Sequence, residues 1–176
     1  MKSGTIPIRR ALISVSDKNN LNDLAKFLES LGIDLVSTGG TARYLKKGGL
    51  RVTEVSDLTG FPEILNGRVK TLHPKVHAPI LFDRNDAVST KELKKMDSEA
   101  IDLVVVNLYP FETTLRGNAS RKNIIENIDI GGVALMRAAA KKFDHVMIIS
   151  DPKDYIELQK ELTTFQGCTR QITRKF

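Results

Sequence analysis

Tryptophan is absent from the sequence, cysteine occurs once, and aromatic residues make up only 6% of it. The lone cysteine, Cys168, excludes an internal disulfide and a cysteine-rich zinc site, a pattern that fits a reducing compartment. Folding must therefore rest on core burial. No stretch reaches the roughly 18 consecutive apolar residues needed to cross a bilayer. The opening MKSGTIPIRR also lacks the apolar centre of a signal peptide, so a soluble, cytoplasmic protein without membrane contact is expected. The scarcity of aromatics removes the stacking platform on which single-stranded nucleic acid lies, and no recognition-helix motif is present.

What is there reads as one ordinary globular domain. The 176 residues include 27 Lys plus Arg against 21 Asp plus Glu, a net charge of +6, with 41% hydrophobic residues. Those proportions exclude disorder for the bulk of the chain. The basic residues are spread along the sequence rather than clustered. They favour a basic pocket for a small phosphorylated anion over a nucleic-acid surface.

Short apolar runs alternate with helical periodicity. Ala11 to Val15 reads as a strand, and Leu21, Leu24, Ala25, Leu28 and Leu31 as one face of a helix that Gly32 stops. Ile33 to Ser37 is a second strand, TGG a turn, Ala42 to Lys47 a helix ending at Gly48 and Gly49, and Arg51 to Val55 a weaker strand. The run IDLVVVN, residues 101–107, has the continuous β-branched character of a strand buried on both faces, and Val146 to Ile149 is another. Helices are expected over 89–96, 121–128, 132–143 and 153–162. Strands separated by helical lengths imply a parallel α/β sheet flanked by helices.

Ligands of such folds sit beyond the carboxyl ends of the strands. There the sequence places Ser16-Asp17-Lys18, Thr38-Gly39-Gly40-Thr41 and Asn107-Leu108-Tyr109-Pro110. TGGT opens a helix, so its backbone N–H groups and the helix dipole suit a phosphate; a plain glycine turn capped by threonine has the same sequence. Lys18 either reaches that phosphate or stands solvated at a helix start. In the stretch Asn66 to Pro74, an extended backbone directs Arg68 and Lys70 to one side and Val69 and Thr71 to the other. Two adjacent cations favour a neutral lysine, which suits proton transfer, while an exposed basic strand edge is the simpler alternative. His73 and His77 stand four apart, but Pro74 is expected to interrupt a helix there and no third ligand follows, so no metal site is expected. Asp129 precedes a helix as a cap or as a ligand-facing carboxylate. Lys141 lies four residues after Arg137 on that helix, where the dipole also favours a solvated lysine.

Taken in order, SVSDK, STGGTA, DLTGFPEIL, GRVKTLHPKVHAPIL, NLYPF, IDIGGVALMRAAAKKF and DPKDY resemble the IMP cyclohydrolase domain of the bifunctional AICAR transformylase/IMP cyclohydrolase family. The resemblance runs over about residues 9–160. It implies a methylglyoxal-synthase-like fold over 1–160, and over 161–176 the start of a linker toward a transformylase domain that these residues do not encode. The implied activity is closure of FAICAR to IMP with loss of water, without a cofactor and in a homodimer. The nucleotide contacts it implies are Ser16, Asp17, Lys18, Thr38, Gly39, Gly40, Thr41, Arg68, Val69, Thr71, Val106, Asn107 and Ile130. The implied catalytic group is Lys70, Tyr109, Asp129 and Lys141. Methylglyoxal synthase and a regulatory domain of carbamoyl-phosphate synthetase share the fold, but GRVKTLHP and IDIGGV favour the cyclohydrolase.

Overall fold

The computed structural model describes residues 5–65, 67–117, 119–173 and 175. Asn66, which opens the basic stretch, lies outside them, as do the first four residues, Asn118, and Arg174 and Phe176 of the tail.

The strands are β1 (Thr5–Ile6), β2 (Arg10–Val15), β3 (Asp34–Ser37), β4 (Thr53–Glu54), β5 (Leu103–Asn107), β6 (Met147–Ile149) and β7 (Cys168–Thr169). The helices are α1 (Leu21–Ser30), α2 (Gly39–Lys47), α3 (Val55–Thr59), α4 (Pro74–Leu81) and α5 (Ala87–Lys95), then α6 (Phe111–Arg116), α7 (Arg121–Glu126), α8 (Gly131–Lys141), α9 (Tyr155–Phe165) and α10 (Arg170–Thr173). Five strands form one parallel sheet in the order β4-β3-β2-β5-β6. The parallel α/β architecture expected from the alternating pattern is the one observed.

Side chains alternate across the sheet, and each strand therefore feeds two cores. Ala11, Ile13 and Val15 of β2 and Leu103 and Val105 of β5 pack with α1 and α9 on one face. Leu12, Val104 and Val106 pack on the other with Val76 and Ile80 of α4 and Leu135, Ala138 and Ala139 of α8. The small alanines of α8 let that helix lie close to the sheet. Its burial explains why β5 is apolar at almost every position. No described helix is long and apolar enough to cross a membrane.

The amino edge of the sheet is locked by one carboxylate. Asp102, 3% exposed, accepts from the backbone N–H groups of Arg9 at 2.7 Å and Arg10 at 3.1 Å and from Arg84 Nη1 at 2.7 Å. Three donors compensate its desolvation.

Two expectations change. Pro74 begins α4 instead of interrupting a helix: proline suits the first helical position, where no N–H acceptor is needed, and His73 Nδ1 caps the turn by accepting from Lys75 N at 3.1 Å. The glycine pair of TGGT lies inside α2 rather than in a turn before it. Residues beyond 160 pack on this body. Leu162 of α9, Cys168 and Ile172 are buried in the core, and β7 pairs antiparallel with β1. Apolar side chains in the tail keep it folded against the body.

Candidate functional site

In the sheet, β3 and β4 extend to one side of β2, and β5 and β6 to the other. The switch in direction falls between β2 and β5, and an open α/β sheet forms its ligand crevice there, beyond the carboxyl ends. A cavity of about 540 Å³ occupies that place. Its volume is in the range of small-molecule sites.

The strand-end wall is built by short side-chain bolts. Asn107 closes β5 and reaches across to the loop after β2: its Oδ1 accepts from Ser16 N at 2.7 Å and Asp17 N at 2.9 Å, and its Nδ2 donates to Asp17 O at 3.0 Å. Thr41, 4% exposed, accepts from Val15 N at 3.2 Å and donates to Val15 O at 3.0 Å, tying the start of α2 to β2. Ser14 and Thr38 hydroxyls pair at 3.1 Å. These bonds fix the first turn of α2, whose Gly39 and Gly40 N–H groups precede any possible intrahelical acceptor. Lys18 lines the cavity nearby, with Nζ donating to Ser16 O at 3.2 Å.

Gly39 has φ +39°, and a Cβ there would stand 2.8 Å from Glu63 Oε1. The Glu63 carboxylate thus lies over the α2 amino end, where the dipole favours negative charge. Nothing in the sequence pattern pointed to Glu63.

The opposite wall comes from the loop before α4 and from the α7–α8 segment. Arg68, Lys70 and Thr71 line the cavity with Glu126, Asp129 and Ile130. The backbone between Ile64 and Val69 reverses through Leu65 (φ 53°) and Gly67 (φ 80°), with Ile64 and Val69 bridged. The extended alternation expected over 68–71 is replaced by this turn, so Thr71 joins Arg68 and Lys70 at the cavity while Val69 does not. Arg68 Nε donates to Glu126 Oε2 at 3.1 Å, and a second contact joins Nη2 to Oε1. That pairing raises the Arg68 pKa and lowers that of Glu126. The charge of Arg68 is therefore compensated and does not stand alone beside Lys70.

Asp129 is both things the sequence allowed: it lines the cavity, and its Oδ1 accepts from Gly132 N at 2.7 Å at the head of α8. A Cβ on Gly132 would come within 2.8 Å of that carboxylate, so glycine is what permits the approach. Tyr109 reaches the cavity from the loop after β5 and is substantially exposed.

Of the remaining predicted residues, four sit just outside the lining. Asp17 turns to accept from Asn19 N at 2.9 Å. Gly39 lies under Glu63, Val69 is held by the bridge to Ile64, and Val106 is buried between sheet and helices. Lys141 is farther away. It ends α8, ten and nine residues beyond Gly131 and Gly132, which line the cavity, and at 1.5 Å per residue the helix carries it about 14–15 Å off. In the single chain it does not meet Lys70, Tyr109 and Asp129.

His73 and His77 flank the first turn of α4, outside the cavity. His73 stacks on Phe61, ring centroids 6.4 Å apart, which clasps the two ends of the loop bearing Arg68 and Lys70. Burial holds the pKa of His77 below the usual histidine value. Among the described residues, no three His, Cys, Asp or Glu side chains gather as a metal site.

Residues 20–134 match the family model of the MGS-like domain. Over 170 residues the chain is 54% identical to the Bifunctional purine biosynthesis protein PurH of Elusimicrobium minutum, covering 96% of this chain and 33% of that protein. Against PurH of Persephonella marina it is 55% identical over 167 residues, 95% of this chain and 32% of the relative. The chain thus spans about a third of the length of the curated relatives it matches. The crystal structure of ForH superposes with a TM-score of 0.79 at 36% identity, covering 94% of this chain and 84% of that one.

Proposed function

The chain belongs to the MGS-like domain family, and on that premise we propose that it is an IMP cyclohydrolase, closing FAICAR to IMP with loss of water as a step of purine biosynthesis. The observation that carries the reading is the convergence of an uncapped helix start, two lysines, a tyrosine and an aspartate on one cavity at the switch point. The extensive identity to PurH supports it from a separate direction.

In this reading the 5′-phosphate rests at the start of α2 on the Gly40 N–H, with Lys18 beside it on the same cavity, an arrangement suited to anions. The heterocycle then extends toward Lys70, Tyr109, Asp129 and the apolar Ile125, Ile128 and Ile130, which all line the cavity. The carboxamide nitrogen attacks the formamide carbon, a C–N bond forms, and the former carbonyl oxygen becomes an alkoxide. Lys70 stabilises that oxyanion as a donor. Asp129 takes the proton released by the attacking nitrogen, and Lys70 passes a proton to the oxyanion to give a hydroxyl. Tyr109 then protonates that hydroxyl as the C–O bond breaks, so that it leaves as water, while the formamide nitrogen gives up its proton to solvent and the ring C=N bond forms. Each group ends the cycle restored by proton exchange with solvent. Both reacting arms belong to one molecule, so anchoring the phosphate favours near-attack geometry, an effect worth up to roughly 7–11 kcal/mol in favourable intramolecular cases. No step requires a cofactor or metal. Lys141 enters none of these steps in the single chain. The same reading makes the protein a cytoplasmic homodimer.

The test is direct. Purified chain is incubated with FAICAR, after exhaustive chelation, and IMP formation is followed. The reading expects turnover that saturates with FAICAR and survives chelation. FAICAR left unchanged by folded protein overturns it.

A further inference from the structure

Glu126 is not among the residues that sequence motifs assign to the site, yet it lines the cavity and holds Arg68 by two contacts. The two residues are separated by 58 positions and come from different elements of the same wall, the loop before α4 and the last turn of α7. Arg68 also donates Nη1 to Leu65 O at 3.4 Å. A guanidinium has five N–H donors in a rigid fork. These contacts use Nε and one N–H each of Nη2 and Nη1, which leaves one N–H on each terminal nitrogen unengaged by them.

We propose that Glu126 is a positioning residue that acts through Arg68, orienting the guanidinium so that its two remaining terminal N–H groups meet the anionic part of a phosphorylated ligand. The inference rests on the cyclohydrolase reading only for the identity of that ligand. Its physical basis is the side-on pairing. A long arginine side chain on a turn loses much rotamer freedom when it binds an anion, and a carboxylate that already holds the fork reduces that loss. Both side chains are exposed by roughly half, 54% for Arg68 and 41% for Glu126, so the pair itself adds little to fold stability. Its position on the cavity wall is better explained by orientation than by stability.

A purely electrostatic role predicts the opposite sign. Glu126 brings a negative charge to the wall of an anion site, and neutralising it without any positioning effect should tighten anion binding.

The experiment is a double-mutant cycle with Glu126→Gln, Arg68→Lys and the combined variant, plus Glu126→Asp. The measurements are FAICAR kcat and KM, IMP affinity, and affinity for ribose 5-phosphate by calorimetry, which needs no turnover. Positioning predicts that Glu126→Gln raises KM and both dissociation constants about tenfold, with kcat nearly unchanged and the melting temperature retained. Glu126→Asp should recover part of the loss. Once Arg68 is lysine, Glu126→Gln should cost little more, because the path through Arg68 is already broken. Unchanged or tighter binding in Glu126→Gln overturns the proposal, as does a loss that adds fully to that of Arg68→Lys. If FAICAR is not turned over by the unmodified chain but ribose 5-phosphate shows the same non-additive loss, the functional reading fails and the positioning role stands. If ribose 5-phosphate binding is also indifferent to Glu126, both fail.

Discussion

At Gly40 a Cβ would meet only Arg43 Nη2, at 3.9 Å, so the fold has room for a side chain there. The proposed phosphate does not, because its oxygens must approach the helix-start N–H groups closely. Gly40→Val should therefore raise the KM for FAICAR by about tenfold or more while thermal unfolding shifts little. A folded valine variant with normal KM would move the phosphate away from α2. Lys70 tests the chemistry rather than the anchor. As the oxyanion donor, its replacement in Lys70→Met should lower kcat by about 10² to 10³ with IMP affinity nearly unchanged. A raised KM and weakened IMP binding at normal kcat would instead make Lys70 a binding residue. Both positions were legible because each follows a strand or lies in an unusual basic motif. Glu63 and Glu126 were not, since their meaning depends on glycines and an arginine far away in sequence that only the folded chain brings near.

Among the elements, the buried strands and the amphipathic α1 could be read directly from hydrophobic periodicity. The start of α4 could not, because a proline inside a mixed segment signals a break unless it falls on the first helical turn, and the cap that fixes this is an imidazole rather than the usual serine or aspartate. The short α3 and α6 were equally hidden: at 5 and 6 residues they are too brief to develop a periodic face. The amino edge of the sheet shows how elements are joined away from the cavity. Asp102 links the start of β2 to the segment before α5 through Arg84, whose side chain is 20% exposed. Asp102→Ala leaves that guanidinium and two backbone N–H groups without their acceptor. It should destabilise the protein by about 3 kcal/mol, the lower end for a broken buried pair because Arg84 keeps some water. In urea the midpoint should fall with an unchanged slope, and FAICAR KM should stay normal in the folded protein, since the cavity lies at the opposite edge. A stability change below about 1 kcal/mol would show that Asp102 is not holding the edge.

At the scale of the whole molecule, the tail and the body share one core, and two acidic groups within it govern stability at high pH. Burial, reinforced by Glu161, pushes the Cys168 thiol up to about 12. Burial, with Asp17 and Asp151 adding to it, pushes the Tyr155 phenol up to about 12. Between their ordinary values, 9.0 and 10.0, and the raised ones, the folded chain keeps protons that the unfolded chain releases. Stability is thus fully present below about pH 9 and declines as pH rises toward about 12. The tyrosine has a further peculiarity, for its hydroxyl is buried with no hydrogen-bond partner among the described residues. Removing an unsatisfied buried hydroxyl while keeping the ring relieves a desolvation cost instead of breaking a bond. Tyr155→Phe should accordingly leave stability near pH 7 unchanged or raise it by about 1 kcal/mol, and it should flatten the alkaline decline by removing the tyrosine's share. Urea titrations of both proteins from neutral to strongly alkaline pH decide the matter. A phenylalanine variant that is weaker at neutral pH and falls as steeply in alkali would mean that the hydroxyl is bonded in solution and that its proton is released as readily in the folded chain as in the unfolded one.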